Sequence, residues 1–292
     1  MQYNRRNFIK LTGGLTTGLA LGSLTGASLL SSCNNNSAKG IKEFGLQLYT
    51  LRDEMPKDPK GVLKQVASFG YDYIESYSGA NGIFWGMPAA DFKKYLDEIG
   101  LKMYSAHCNV DNEFEKLAAD AASIGMKYLI YPYEGDNQTM DDYKRHADVF
   151  NQKGEICKKN GLRFAFHNHD FSFLPINGEF PQDLLAKNTD PELVDFQMDV
   201  YWVVTANQDP VAWAKKNEGR FKLCHVKDRI KNTADREGTC TLGEGSIRYP
   251  EILPQLNNLG VDYFVVEQER YDGTSPLKAA EADAAYMKKL IG

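Results

Sequence analysis

The sequence predicts an α/β chain folded as one (β/α)₈ barrel behind an N-terminal export signal. Eight short apolar runs alternate with longer amphipathic stretches, the pattern of a parallel sheet covered by helices. Residues 41–292 number 252, close to the roughly 250 that such a barrel needs. A basic, then apolar, then small-residue order ahead of Cys33 sets residues 1–32 apart from that barrel.

The strand runs are 44–50, 73–77, 102–107, 128–133, 163–168, 194–199, 222–226 and 263–267. Helical periodicity falls between them, for example over 60–69, 89–99, 113–124, 141–159 and 249–259. Gly70, Gly100, Gly125, Gly161 and Gly260 follow these stretches, where glycine tolerates the left-handed conformation that ends a helix. Eight repeated units favour closure of the sheet into a barrel. No G-x-G-x-x-G follows the first run, which argues against a dinucleotide-binding sheet.

Composition bounds the function classes. With 42% hydrophobic and 25% charged residues the chain is neither disordered nor fibrous. Its 34 basic and 39 acidic residues give a net charge of −5, the wrong sign for a non-specific nucleic-acid binder.

At the N-terminus, Asn4-Arg5-Arg6-Asn7-Phe8-Ile9-Lys10 precedes a Gly/Leu/Ala-rich run that ends in Leu30-Ser31-Ser32-Cys33. The paired arginines resemble a twin-arginine signal, and the Leu-Ser-Ser-Cys end resembles a bacterial lipobox. Residues 1–32 are expected to be removed, Cys33 to carry lipid and residues 33–40 to act as a tether. That makes the protein a membrane-attached lipoprotein facing the periplasm. The rival reading is a membrane-spanning helix, since the run is about 20 residues long, but its many Gly, Thr and Ser weaken that reading. Removal takes Arg5, Arg6 and Lys10 and no acid, leaving 31 basic against 39 acidic residues, a net charge of −8. Cys108, Cys157, Cys224 and Cys240 form no C-x-x-C pair and read as isolated thiols.

The five histidines are unevenly placed. His107, His167, His169 and His225 fall at the carboxyl ends of expected strands, and only His146 lies in a helix. In a (β/α)₈ barrel that end carries the active site. Glu75, Asp199 and Glu267 also sit at strand ends. His167, Asp199, His225 and Glu267 are separated by 32, 26 and 42 residues, about one βα unit each, the last lengthened by the loop 229–245. Four neighbouring strands therefore each offer one metal-ligand side chain. Two imidazoles and two carboxylates suit Mn²⁺ best, with Co²⁺, Fe²⁺ or Zn²⁺ as alternatives, over Mg²⁺ or Ca²⁺. Taken singly, each residue has a structural reading: a hydrogen-bonded histidine, Asp199 as a helix cap, Glu267 paired with Arg270. Their convergence on adjacent strands favours an ion, because buried charges need partners.

These residues lie within pieces that resemble the sugar-phosphate isomerase/epimerase group of xylose-isomerase-like barrels. The pieces are Phe44-Gly45-Leu46-Gln47-Leu48-Tyr49-Thr50, Ser105-Ala106-His107, Phe166-His167-Asn168-His169-Asp170-Phe171, Met198-Asp199, His225-Val226-Lys227-Asp228, Leu242-Gly243-Glu244-Gly245 and Val265-Val266-Glu267. The resemblance implies a divalent metal held by Asp199, His225 and Glu267. It departs at the fifth strand, where many members carry a glutamate and this chain carries His167, as in the His-x-His variants that include inosose-dehydratase-like proteins. The family's histidine shortly after the sixth-strand aspartate is also missing, so its role passes to Tyr201 or Trp202 or is lost.

The chemistry expected of such a site begins with an ion that polarises a carbonyl and acidifies the neighbouring C–H bond. A metal-bound His167 has no lone pair left to act as base. Glu267 or His169 is expected to move the proton, with His107 and Lys227 orienting hydroxyls or stabilising charge, and with Glu75, Tyr49, Trp202 and Arg229 binding substrate. Of the aromatics near strand ends, Tyr49, Tyr77, Phe84, Trp85, Tyr131, Tyr133, Tyr201 and Trp202, half are expected to stack on a sugar and half to pack. Export and acidity point to an unphosphorylated sugar, keto-sugar or glycoside, with Arg52, Lys227 and Arg229 the residues to check for a phosphate pocket. The expected function is sugar isomerisation or epimerisation. The alternatives are a keto-sugar or keto-glycoside lyase or dehydratase on the same site, and a non-catalytic sugar-binding lipoprotein. A metal-dependent endonuclease on this barrel is disfavoured by the charge, and the sequence gives no oligomeric state.

Overall fold

The computed structural model describes residues 40–111 and 113–292. The expected export signal, the lipid attachment at Cys33 and all of the tether except Gly40 lie outside the described residues. No helix among those described is long and apolar enough to cross a membrane.

Eight parallel strands close into a barrel: β1 (Gly45–Gln47), β2 (Tyr73–Tyr77), β3 (Lys102–His107), β4 (Tyr128–Tyr131), β5 (Arg163–His167), β6 (Val194–Asp199), β7 (Phe221–Val226) and β10 (Tyr263–Val266). The closing pair is β1 against β10. Between β7 and β10 a small antiparallel pair, β8 (Asp228–Arg229) and β9 (Thr239–Cys240), stands apart from the barrel. The covering helices include α1 (Pro59–Phe69), α2 (Ala89–Ile99), α3 (Phe114–Ser123), α4 (Met140–Lys159), α5 (Pro181–Asn188), α6 (Val200–Thr205), α7 (Pro210–Lys216), α8 (Tyr249–Asn258) and α9 (Pro276–Ile291). Gly70 and Gly100 cap α1 and α2 at φ +86° and +78°, as their positions in the sequence require.

Four runs end earlier than their apolar character suggests, β4 at Tyr131 and β10 at Val266 among them. β1 stops at Gln47 because the Gln47 side chain accepts a hydrogen bond from the Tyr49 N–H and caps a 3₁₀ turn over Leu48–Leu51. Gly45 in the same strand admits no side chain, since a Cβ there would stand 2.3 Å from the Tyr73 ring. β5 stops at His167, and His169, in extended conformation and with no side-chain capping bond, precedes a second 3₁₀ turn, Asp170–Phe173.

The barrel interior is layered. Tyr73, Tyr104, Tyr128 and Tyr263 gather at the amino-terminal end, with ring centroids 5.0–5.8 Å apart along the chain of contacts. Tyr73 fixes that end by donating to the Phe264 carbonyl and accepting from the Phe264 N–H, both at 2.8 Å. Ile130, Ala165 and Leu223 fill the middle. Above them the side chains turn polar. Strand register sets Gln47 beside Glu75, Glu75 beside Ser105, and His167 beside Gln197. Gln47, Glu75, Ser105, His167 and Gln197 are all buried, so their groups must satisfy one another.

Candidate functional site

At the carboxyl end the register pairs Asp199 with His225. Glu267 follows one residue after β10, its N–H still bonded to the Val226 carbonyl at 3.1 Å. Asp199, His225 and Glu267 each bring one ligand atom within 4.8 Å of the others, and a second such triad joins His225 to His107 and His167. His225 belongs to both. The four expected ligands thus gather as one triad plus His167, whose Nε2 lies 3.9 Å from Asp199 Oδ2.

Beneath the triads, hydrogen bonds decide which nitrogens face the ligand atoms. Glu75 Oε1 meets His225 Nε2 at 2.6 Å, Gln47 Nε2 at 2.8 Å and His107 Nε2 at 3.1 Å. Glu75 Oε2 accepts from Ser105 Oγ at 2.6 Å and Gln197 Nε2 at 2.8 Å. Gln197 Oε1 in turn accepts from His107 Nε2 at 2.7 Å and His167 Nδ1 at 3.0 Å. With Nε2 of His225 committed to Glu75, Nδ1 is left facing Glu267 Oε2 at 3.1 Å and Asp199 Oδ2 at 3.8 Å. With Nδ1 of His167 committed to Gln197, Nε2 is left on the Asp199 side. Partners of this kind fix the tautomer and orientation of ligating imidazoles.

Asp199 serves twice. Its Oδ1 caps α6 by accepting from the Tyr201 and Trp202 N–H groups at 2.9 and 3.4 Å. Its Oδ2 is buried and accepts no well-formed hydrogen bond, although Lys227 Nζ stands 3.1 Å away. Lys227 is itself buried, with Nζ 2.7 Å from Glu267 Oε2 and 2.6 Å from Glu269 Oε1. A buried carboxylate oxygen that makes an ion pair but no well-formed hydrogen bond, facing an imidazole and a second carboxylate, belongs to a set that fits a divalent ion.

Burial and these neighbours polarise the ionisation states. Burial raises Glu75 and Glu267, but His107 and His225 for the first, and Lys227 and His225 for the second, outweigh it and hold both well below the usual carboxylate range. Burial raises Asp199 despite Lys227 and His225. Burial opposes the charged form of His225, yet Glu267 and Glu75 together push it up to about 10. Burial, followed by the charges of His225 and His107, drops His167 well below the ordinary histidine value. Burial and then Lys227 push His169 down to about 3.

A cavity of about 510 Å³ opens onto this cluster, of a size that suits a small ligand. Its wall includes Tyr49, Tyr133, His107, His167, His169, Lys227, Glu267 and Glu269. Tyr49 and Tyr133 are 39% and 46% exposed at the mouth, where stacking on a ligand is open to them.

Three of the expected substrate-binding residues are elsewhere. Glu75 is fully buried below the ligand cluster, with both oxygens occupied by protein donors, so it positions His225 and His107 rather than meeting substrate. Trp202 is buried against His169, with the Arg236 guanidinium 4.6 Å over its ring, and does not line the cavity. Arg229 also lies off the cavity, its guanidinium donating to the Thr233 carbonyl and resting 5.9 Å over Tyr201. Glu267 pairs with Lys227 and His225, while Arg270 pairs with Asp235 and Asp272.

Gln197, Gln47, Ser105 and Glu269 were not singled out from the sequence. Gln197 stands two residues before Asp199 on β6, and a period of two keeps side chains on one face of a strand, whereas Glu269 lies past the end of β10, where no such period holds. The Gly-Glu-Gly stretch is an anchor: Gly243 and Gly245 N–H groups donate to Asp228 Oδ2 at 2.9 and 3.1 Å. Cys108, Cys157, Cys224 and Cys240 are free thiols, as expected.

The chain belongs to the xylose isomerase-like TIM barrel family, whose model matches residues 63–290. Among curated relatives, an inosose dehydratase of Mesomycoplasma hyopneumoniae is 24% identical over 279 residues, covering 86% of each chain. An inosose dehydratase of Clostridium perfringens is 26% identical over 165 residues, 51% of this chain and 55% of that one. A solved structure of a sugar phosphate isomerase/epimerase from Parabacteroides distasonis is 30% identical, covers 86% of this chain and 94% of its own, and superposes with a TM-score of 0.70. The IolI protein, solved with a bound zinc atom, shares the fold at 16% identity and a TM-score of 0.69, over 86% of this chain and 98% of its own.

Proposed function

We propose that the protein is a metal-dependent carbon–oxygen lyase that removes the proton beside the carbonyl of an unphosphorylated keto-sugar and expels a β-oxygen substituent. The observation that carries this reading is the chemistry around β5. His167 stands there with its Nδ1 committed to Gln197, so two carboxylates do not oppose each other across the cavity. The groups left to move protons differ in kind: the imidazole of His169 and the ammonium of Lys227, both on the cavity wall. Unlike groups of this sort suit a one-way elimination better than symmetric epimerisation.

Asp199, His225 and Glu267, with His167 beside them, would hold the ion, and Mn²⁺ is the first candidate. Bound there, a divalent ion supplies Lewis acidity to a carbonyl oxygen. In the step assigned to the chain's own residues, His169 takes the proton from the carbon next to the carbonyl. The C–H electron pair becomes a C=C bond, and the β-oxygen leaves with a proton from Lys227. Neutral substrates are favoured because Asp111, Glu267 and Glu269 outnumber Lys227 on the cavity wall. Arg52 is turned to the Glu269 carbonyl at 2.9 Å and Arg229 to Thr233.

The names of the curated relatives support dehydration. Isomerisation or epimerisation is the second reading, supported by the 30%-identical Parabacteroides structure. Proton NMR of neutral keto-sugars and their phosphate esters, incubated with Mn²⁺-loaded protein, separates the cases. An elimination should give an unsaturated ketone from the neutral sugars. Epimers or aldoses instead would establish the second reading, preference for phosphate esters would sink the neutral-substrate claim, and binding without turnover would make the protein a sugar-binding protein. We also propose export and lipid attachment at Cys33, which labelling with a radioactive fatty acid tests against Cys33→Ala.

A further inference from the structure

Lys227 carries three N–H bonds on Nζ and meets three carboxylates: Asp199 at 3.1 Å, Glu267 at 2.7 Å and Glu269 at 2.6 Å. Two of those oxygens, Asp199 Oδ2 and Glu267 Oε2, belong to residues of the ligand triad and stand 3.8 and 3.1 Å from Nδ1 of its third member, His225. An ion held by that triad and the Lys227 ammonium therefore draw on the same lone pairs, and two cations sharing them repel. Glu269 stands outside the triad and lines the cavity.

Its place is built from several elements. The Glu269 N–H donates to Thr239 Oγ1 of β9 at 3.2 Å, and its carbonyl accepts from Arg52 Nη2 at 2.9 Å. The preceding Gln268 N–H donates to Thr50 Oγ1 at 3.2 Å. Tyr271 closes the turn by donating to the Thr50 carbonyl at 2.5 Å. A carboxylate on a segment tied down at this many points is held in place, whereas the ammonium sits on a flexible four-carbon stem.

We propose that Glu269 is a positioning residue that keeps the Lys227 ammonium when Asp199 and Glu267 give their oxygens to the ion, turning the freed N–H bonds of Lys227 toward the cavity. The inference rests on the ion site proposed above. Without Glu269, a displaced ammonium is buried and unpaired, which is strongly unfavourable. Ion binding and the Lys227–Glu269 pair are thus coupled, and Lys227 becomes a donor to substrate only in the loaded protein.

The test is a double-mutant cycle read by calorimetric titration of Mn²⁺ into chelator-treated full-length protein, with thermal melts confirming that each variant folds. Glu269→Gln in the wild-type background is expected to weaken Mn²⁺ roughly tenfold, the size of effect usual for groups that support a metal site. In a Lys227→Met background, or Lys227→Gln where the methionine variant does not fold, the same change is expected to shift affinity by about twofold or less. Lys227→Met alone is expected to bind Mn²⁺ at least as tightly as wild type. Equal losses in both backgrounds would mean that Glu269 is only one more nearby negative charge, and would overturn the inference, as would an unchanged affinity in Glu269→Gln. A wild type that takes up no Mn²⁺ would instead overturn the ion site itself.

Discussion

Replacing Glu75 with glutamine tests how far the site depends on the buried layer beneath it. Five donors converge on the two Glu75 oxygens: Gln47, His107, His225, Ser105 and Gln197. Glutamine keeps the shape but offers one acceptor oxygen and adds two N–H bonds of its own. At least two buried donors then lose their acceptor, at about 1–3 kcal/mol each, so the expected loss is roughly 3–5 kcal/mol. For a barrel of this size that corresponds to a fall of roughly 6–15 °C in melting temperature, read by circular dichroism at pH 7. The sign of the pH dependence also follows. His107 and His225 hold Glu75 below its unfolded value, so its stabilisation is present above the unfolded pKa and fades as pH falls through the folded one. The gap between wild type and Glu75→Gln should narrow in acid. A variant that melts within about 2 °C of wild type at pH 7 would refute the claim that Glu75 organises His107 and His225.

Asp283 gives the opposite pH signature. Burial pushes its carboxyl up to about 8 despite the Leu242 N–H it accepts, so the folded state holds a proton that the unfolded chain releases near pH 4. Stability is lost as pH rises through that window, and Asp283→Asn should melt roughly 5 °C or more above wild type at pH 8.5 but equal it at pH 4. Gly245→Ala should lower the melting temperature, by about 1–3 kcal/mol of stability, because a Cβ there would lie 2.2 Å from Asp228 Oδ1 and 2.5 Å from the Arg229 carbonyl. Tyr133→Ala should raise KM for the sugar about 3–10-fold in steady-state kinetics with little change in melting temperature, since the ring is 46% exposed beside His169.

The barrel was legible because its signals are local. Alternating runs, cap glycines and ligand-type residues at strand ends all sit within a few positions of one another. Asp199, His225 and Glu267 meet because register joins β6 to β7 and β7 to β10. What the sequence hid was depth along the strand. Glu75 lies two positions before the end of β2, and that offset moves it from the cavity wall into the layer below. Trp202 and Arg229 follow strand ends but turn away, Trp202 into the α6 turn capped by Asp199 and Arg229 into the β8–β9 pair. Glu269 acquires its meaning through Arg52 and Thr239, which lie 217 and 30 residues away in sequence.

The central claim is that one ion on Asp199, His225 and Glu267 makes a sugar C–H bond labile. Deuterium incorporation from heavy water into the carbon next to the carbonyl of a keto-sugar measures this directly by NMR, whether the bond is then lost to elimination or re-formed. Mn²⁺-loaded wild type should give incorporation or its unsaturated product, and neither should appear after chelation or with Asp199→Asn. Undiminished exchange in Asp199→Asn would contradict the claim.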